Sequence, residues 1–312
     1  VAVGYGVLQN QNLTTATNAY NVAVGYDAGA SVTTAQVNTL IGALSGDALT
    51  SGNSNTALGY KTLSADTLGD RAVAIGVQAL QSQNFTTTND NYNVAVGYLA
   101  GGAVTTGIEN TLLGGLAGDA LTDADANVAV GKGALGSDTL GSQSTALGTG
   151  ALSSQNFTTA TNSLNTAVGY VAGSSITTGT NNTLIGADTG DALTEGIKNV
   201  AVGQNALGAD TQGDNSVAIG VNALYSQNGV NGNVYNVGVG ANAGFSVTTG
   251  LKNVLMGGLT GDALTDADEN VAIGHAALST DTLGSRSVAI GREALTTQNF
   301  TTATTTYNVA VG

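Results

Sequence analysis

The stretch NVAVG, residues 21–25, decides the fold because variants of it recur along the whole chain. Eighteen copies close on a glycine, and these glycines follow one another at intervals of 21, 17, 17 and 17 residues, with one long interval shortened to 20. A basic unit of 17 residues is therefore nested inside a super-repeat of 72. Self-similarity at fixed periods is the sequence signature of repeat architectures.

Side-chain size alternates within each copy of the motif. The residue before the closing glycine is Val, Ile, Leu or Met, and the residue two before that is Val or Thr, in all 18 copies. Between them stands Ala in 13 copies, Leu in four and Gly238 in one. Successive strand side chains point to opposite faces, so Val22 and Val24 share a branched apolar face, whereas Ala23 lies on a small one.

A unit of 17 residues cannot bury its apolar face alone, but stacked units can. The sequence therefore predicts an all-β fold, a parallel β-roll or β-helix of stacked 17-residue coils in which every fourth coil has 21 residues. Residues 1–312 are predicted to form a single β-solenoid of four 72-residue super-repeats, of four coils each, plus a partial one. Because the chain begins and ends inside the motif, we expect it to be a fragment of a longer fibre.

The small face of the motif predicts a close neighbour, because Ala is depleted in strands that face water. Three copies of the chain meeting along a common axis would provide that neighbour, and we expect a homotrimer. A monomeric β-helix with wider, triangular coils is the alternative.

Composition excludes several classes of function. Seven Lys and Arg residues stand against 21 Asp and Glu, for a net charge of −14, so we expect no nucleic-acid binding. No apolar run approaches the roughly 20 residues of a membrane helix, so we expect no membrane insertion in this segment. The absence of cysteine excludes a disulfide framework and a thiolate metal site.

The motif resembles a known family of surface fibres. NVAVG, together with SVAIG at 216–220 and 287–291, resembles the Ser/Asn-Val-Ala-Ile-Gly repeats of YadA-like heads in trimeric autotransporter adhesins. NTALGYKTLSADTLG, residues 55–69, is similar to repeats of bacteriophage tail fibre proteins. The resemblance implies a homotrimeric, left-handed parallel β-roll that lies outside the cell, on a cell or virion surface, and serves as a structural fibre or stalk in attachment.

Catalysis and metal binding have weak sequence support. The one histidine, His275, occupies a position where other units carry Tyr, Lys or Gln, so we predict no enzyme activity. Asp47, five residues after a motif glycine, and Asp66, seven residues after the next one, are interpreted as turn residues that accept backbone N–H bonds. Calcium needs six to eight oxygen ligands. Only the acidic stretches TDADAN and TDADEN suggest calcium-dependent adhesion or assembly, through Asp123, Asp125, Asp266 and Asp268, and no other cofactor is predicted.

The 21-residue coils carry a polar stretch that starts with QNL at residue 11 and with QNF at residues 83, 155 and 298. One interpretation is a protruding loop of a receptor-binding head that holds a host glycan or a neighbouring fibre. The other is that the phenylalanines plug the wider coil. The residues concerned are Phe85, Thr86, Thr87, Tyr92, Phe157, Thr158, Thr159, Phe300, Thr301 and Thr302. An ice-binding surface would need threonines in register on consecutive coils. We expect Thr33, Thr50 and Thr67 not to share one face, and we therefore predict no such surface.

Overall fold

The chain folds as a parallel β-solenoid. The computed structural model describes residues 1–14, 17–229 and 232–312, and none of these residues is helical. They form two compact units, Val1–Asn162 and Ser163–Gly312. Nine coils stack in each unit, each with one motif strand. The predicted all-β parallel solenoid is thus confirmed.

Each motif strand has two or three residues, and four coils of each unit carry a second, two-residue strand. The strands of the first unit are β1 Ala2–Val3, β2 Val22–Val24, β3 Thr39–Ile41, β4 Thr56–Leu58, β5 Gly69–Asp70, β6 Val73–Ile75, β7 Asn89–Asp90, β8 Val94–Val96, β9 Thr111–Leu113, β10 Val128–Val130, β11 Gly141–Ser142, β12 Thr145–Leu147 and β13 Thr161–Asn162. The strands of the second unit are β14 Thr166–Val168, β15 Thr183–Ile185, β16 Val200–Val202, β17 Gly213–Asp214, β18 Val217–Ile219, β19 Gly232–Asn233, β20 Val237–Val239, β21 Val254–Met256, β22 Val271–Ile273, β23 Gly284–Ser285, β24 Val288–Ile290, β25 Thr304–Thr305 and β26 Val309–Val311.

The register of the main sheet is constant within each unit. Each motif strand pairs in parallel with the motif strand of the next coil, so that Ala23 is opposite Leu40, and Leu40 is opposite Ala57. The two-residue strands pair separately, β5 with β7 and β11 with β13 in the first unit, and β17 with β19 and β23 with β25 in the second. These pairs occur where a long coil follows a short one.

The small face of the motif lies inside its own coil, which corrects the expectation that it faces another chain. Ala23 and Ala201 have no exposed surface. The neighbour that a small side chain requires is the rest of the same narrow coil. Val22 and Val24 point outward instead and are partly exposed.

The sizes of the core residues vary with the four-coil super-repeat. Leu40 replaces alanine in one coil of four, and its side chain fills the space beside two glycines. A Cβ added to Gly29 or Gly46 would lie 2.8 Å from a methyl carbon of Leu40. Gly29 and Gly46 each lie four residues after a motif glycine. In the other two coils this position is a buried leucine, Leu63 or Leu80. Large and small residues therefore alternate to keep the interior close-packed.

The closing glycine of the motif is required by the approach of the next coil. At Gly42, where φ is +130°, an added Cβ would lie 2.3 Å from the carbonyl oxygen of Gly59. Non-glycine residues also adopt the left-handed conformation in each coil, such as Lys61 at φ 55° and Arg71 at φ 63°. Such conformations are uncommon for non-glycine residues, and here they produce the sharp corners of a small coil.

Candidate functional site

A buried asparagine ladder joins consecutive short coils. Asn38, four residues before its motif glycine, has no exposed surface. Its Oδ1 accepts the backbone N–H of Asn55 at 2.8 Å, and its Nδ2 donates to the carbonyl of Gly52 at 2.9 Å. Each side chain thus satisfies one donor and one acceptor of the next coil.

The ladder recurs in both units with nearly constant geometry. In the second unit, Asn182 Oδ1 accepts the N–H of Asn199 at 3.0 Å, and Asn182 Nδ2 donates to Gly196 at 2.8 Å. Sequence reasoning assigned no role to this residue. The signal was present, because asparagine precedes the motif strand in most copies, but its role depends on which face of the strand is inside.

A threonine column runs along another side of each unit, contrary to our expectation from sequence. Thr33, Thr50 and Thr67 each lie eight residues after a motif glycine. Thr33 Oγ1 donates to the carbonyl of Thr50, and Thr50 Oγ1 to that of Thr67, both at 3.0 Å. The hydroxyl protons are therefore used between coils. The column strengthens the stack and is not a free array of donors for ice.

The asparagine ladder is interrupted before each long coil, and a charged network replaces it. Position 72 is alanine, and the next coil is instead joined through Asp66. Its Oδ1 accepts the N–H of Gly69 at 3.0 Å and that of Phe85 at 3.3 Å, while Oδ2 accepts from Gln83 Nε2 at 2.6 Å. Gln83 Oε1 in turn accepts from Asn93 Nδ2 at 2.9 Å.

The charged network recurs at every long coil that a short coil precedes. Its further copies are Asp138 with Gln155, Asp210 with Gln227, and Asp281 with Gln298, each pair at 2.5 Å. Burial raises the pKa of Asp66 and Asp210, and the hydrogen bonds to their carboxylates oppose that rise. The predicted turn role of these aspartates is confirmed, because each accepts the N–H three residues later.

The long-coil loops divide into a buried and an exposed part. Phe85 and Phe157 are only 4% and 6% exposed, which confirms the plug interpretation for both. Phe300 is partly exposed in the last long coil. The threonines that follow the three phenylalanines are all exposed, namely Thr86, Thr87, Thr158, Thr159, Thr301 and Thr302. The first copy, residues 11–18, includes Thr15 and Ala16, which lie outside the described residues.

Tyr92 lies on the surface of a long coil, where it is 51% exposed. Its hydroxyl accepts a hydrogen bond from Arg71 Nη1 at 2.8 Å, and the same guanidinium pairs with Asp90. Arg286 and Tyr307 repeat the contact at 2.9 Å in the second unit. These surface groups mark two of the long coils, and a ligand at the loop of the first would meet Tyr92 and the threonines without Phe85.

The four aspartates suggested for calcium each bind donors of the preceding coil. Thr106 and Thr249 donate their hydroxyls to Asp123 and Asp266 at 2.5 Å. The N–H groups of Ile108 and Leu251 donate to Asp125 and Asp268 at 2.8 Å. In the part of the chain that the structure describes, no three His, Cys, Asp or Glu side chains are grouped as metal ligands.

The sequence GDALT recurs at residues 46–50, 118–122, 190–194 and 261–265, and its aspartates behave differently from those of the buried network. Burial raises the pKa of Asp47, Asp119, Asp191 and Asp262. The Oδ1 atoms of Asp47 and Asp262 are buried and have no hydrogen-bond partner. In these two residues, Oδ1 therefore does not accept the backbone N–H that a turn role predicts. His275, one residue after the motif glycine Gly274, is exposed.

Compared with known proteins, the chain matches no protein-family model and no curated protein sequence. A search of the described residues for a helix long and apolar enough to cross a membrane finds none.

Proposed function

We propose that the chain is a structural segment of a fibre or stalk on a cell or virion surface, built from three copies that pack side by side. The observation that carries this proposal is an apolar column on the outside of both units. We call it the outer stripe. It consists of the residue before each motif glycine, namely Val3, Val24, Ile41, Leu58, Ile75, Val96, Leu113, Val130, Leu147, Val168, Ile185, Val202, Ile219, Val239, Met256, Ile273, Ile290 and Val311.

The outer stripe is apolar in every coil and remains accessible in a single chain. Leu58 is 44% exposed and Met256 is 41% exposed. Strands stack about 4.8 Å apart, so nine coils in each unit present an apolar column roughly 40 Å long. Monomeric soluble proteins rarely expose contiguous apolar surface of this kind, and such surface marks an interaction site.

A second and a third copy of the chain are the occupants that fit the outer stripe best. A partner must offer an apolar residue at every coil along the stack, and a parallel copy in the same register does so. The acidic chain contributes no charged residue to the stripe, so three copies can approach there without burying like charges. The number three comes from the resemblance to trimeric adhesin heads.

Native mass spectrometry of the full chain tests the proposal, and the expected particle has three times the mass of one chain. The double variant Leu58→Lys and Leu113→Lys places buried charges in the interface and should yield monomers. Val77→Lys is the matched control, because Val77 is 41% exposed but lies one residue after a motif glycine, where Lys132 occurs naturally. A monomeric wild type, or a double variant as trimeric as the control, would overturn the proposal.

A further inference from the structure

A shallow pocket of about 460 Å³ lies on the surface of the second unit, where the chain turns after the motif glycines of three successive coils. The residues that matter for its chemistry are Asn222, Asn242, Phe245, Ser246, Leu259 and Asp262. All of them follow a motif glycine by two, five or six residues. The pocket is therefore built from side chains of one chain, away from the outer stripe.

Phe245 gives the pocket a fixed aromatic wall. Its ring stacks on Tyr225 with centroids 5.3 Å apart and an interplanar angle of 10°. Tyr225 covers one face of the ring and does not line the pocket, whereas Phe245 does. The other face of the phenyl ring is left for a ligand with an apolar surface.

A second series of asparagines, each two residues after a motif glycine, ends at the pocket and orients an amide towards it. Asn205 Nδ2 donates to Asn222 Oδ1 at 3.2 Å, and Asn222 Nδ2 donates to Asn242 Oδ1 at 3.1 Å. The next coil carries Leu259 at this position, so no further asparagine accepts from Asn242. The direction of these two hydrogen bonds leaves the Asn242 amide N–H groups as donors at the pocket.

Asp262 supplies a carboxylate to the wall of the pocket. Its Oδ1 is enclosed by the protein, as is that of Asp47, so a ligand in the pocket meets this carboxylate at its other oxygen, Oδ2. Burial also raises the pKa of this carboxyl, as expected for a group withdrawn from water.

We propose that this pocket binds a neutral pyranose residue of a surface glycan. A sugar ring offers an apolar face for Phe245, a hydroxyl proton for the Asp262 carboxylate and a hydroxyl oxygen for the Asn242 amide. A cation would leave the amide donors unmatched, and an acidic sugar would meet the Asp262 carboxylate on a chain of net charge −14. The volume lies within the usual range for small-molecule sites, about 300 to 1,000 Å³.

The other copies of Asp262 lack this surrounding. In the preceding coil, the place of Phe245 is taken by Ala30 at Asp47, by Gly102 at Asp119 and by Ser174 at Asp191. Asp47 also has an unpartnered Oδ1, but Asp27 stands where the pocket has Asn242. Asp47 is therefore a matched carboxylate without an aromatic wall or an amide donor.

Isothermal titration calorimetry on the full chain tests the proposal with methyl glycosides of glucose, galactose, mannose, N-acetylglucosamine and N-acetylgalactosamine. N-acetylneuraminic acid and a trimethylammonium compound serve as the acidic and cationic probes. We expect at least one neutral glycoside to bind, with about tenfold weaker affinity in Phe245→Leu and in Asp262→Asn. Asp47→Asn should bind as the wild type does.

Absence of heat with every neutral glycoside, preferential binding of the acidic or cationic probe, or equal loss in Asp47→Asn would overturn the sugar site. Circular dichroism of each variant checks that the coils remain folded. The Leu58→Lys and Leu113→Lys chain is titrated as well, because the pocket should survive when self-association is lost. The outcome for the glycan site is thereby separated from that for the fibre.

Discussion

Two regions of this stack join one coil to the next with different chemistry. Between short coils, the neutral side chain of Asn110 bridges to Asn127 and Ala124. At the long coil that follows, the buried carboxyl of Asp138 and the amide of Gln155 take over as a hydrogen-bonded pair. The long coil has four extra residues in most super-repeats, and a carboxylate that accepts several bonds can hold the displaced backbone. The difference shows that a periodic insertion is tolerated where a stronger acceptor replaces the ladder.

Removing one rung of the ladder should give the largest loss of stability. Asn110→Ala leaves the N–H of Asn127 and the carbonyl of Ala124 buried without partners. Each unsatisfied group costs about 1–3 kcal/mol, so the free energy of unfolding should fall by about 4 kcal/mol. Equilibrium urea unfolding of the full chain measures this change.

The control for the ladder is Thr111→Val, at the next residue of the chain, where strand β9 begins. Thr111 points outward, and many other copies carry Val at this position. Its effect should stay within about 0.5 kcal/mol. A ladder variant that loses no more than this control would show that the rung does not join the coils.

The long coil should depend on its apolar plug instead of a ladder. Phe157→Ala removes a ring that is 6% exposed, and truncation of a buried phenylalanine costs about 3–5 kcal/mol. We expect about 3 kcal/mol here, because the exposed loop beside it can partly collapse. Phe157→Leu should cost less than about 1.5 kcal/mol, since Leu13 stands at the matching position of the first long coil. Equal losses in urea unfolding for the two variants would contradict the plug.

The smallest effect should be in the pH dependence, which separates the two kinds of junction. Burial raises the folded-state pKa of Asp210 above its unfolded value, despite hydrogen bonds from Gln227 and Gly213 that oppose the rise. The folded chain therefore binds the proton more tightly. This contribution to stability is complete below the unfolded pKa of about 3.9 and is lost as pH rises through the folded pKa.

Asp210→Asn should accordingly show a smaller fall in unfolding free energy between pH 4 and pH 7 than the wild type, whatever its stability at one pH. Urea unfolding across this range measures the two slopes. Asn199→Ala, which removes a ladder side chain without a titratable group, should keep the wild-type slope. A slope unchanged in Asp210→Asn would contradict the raised pKa.

The repeat length, the strand position and the all-β class could be read from the sequence because side-chain periodicity reports them directly. The orientation of Ala23 could not, since an alternating strand has two faces with the same period and either could be enclosed. The role of Asn38 depended on that choice. The threonine column at a constant offset was readable but overlooked, and Leu40 beside Gly29 and Gly46 links positions whose contact only the closed coil creates.

The amino-acid sequence by itself determined a stack of 17-residue coils with a longer coil in every four, because the motif glycines recur at those intervals. The tertiary structure decided which surface is outside, and thus left the outer stripe available for other copies of the chain. It also brought Asn242, Phe245 and Asp262 together from two coils. The physical reason is that residues 17 apart become neighbours only when the coils stack, and single-residue differences between coils then create sites that a repeat pattern does not display.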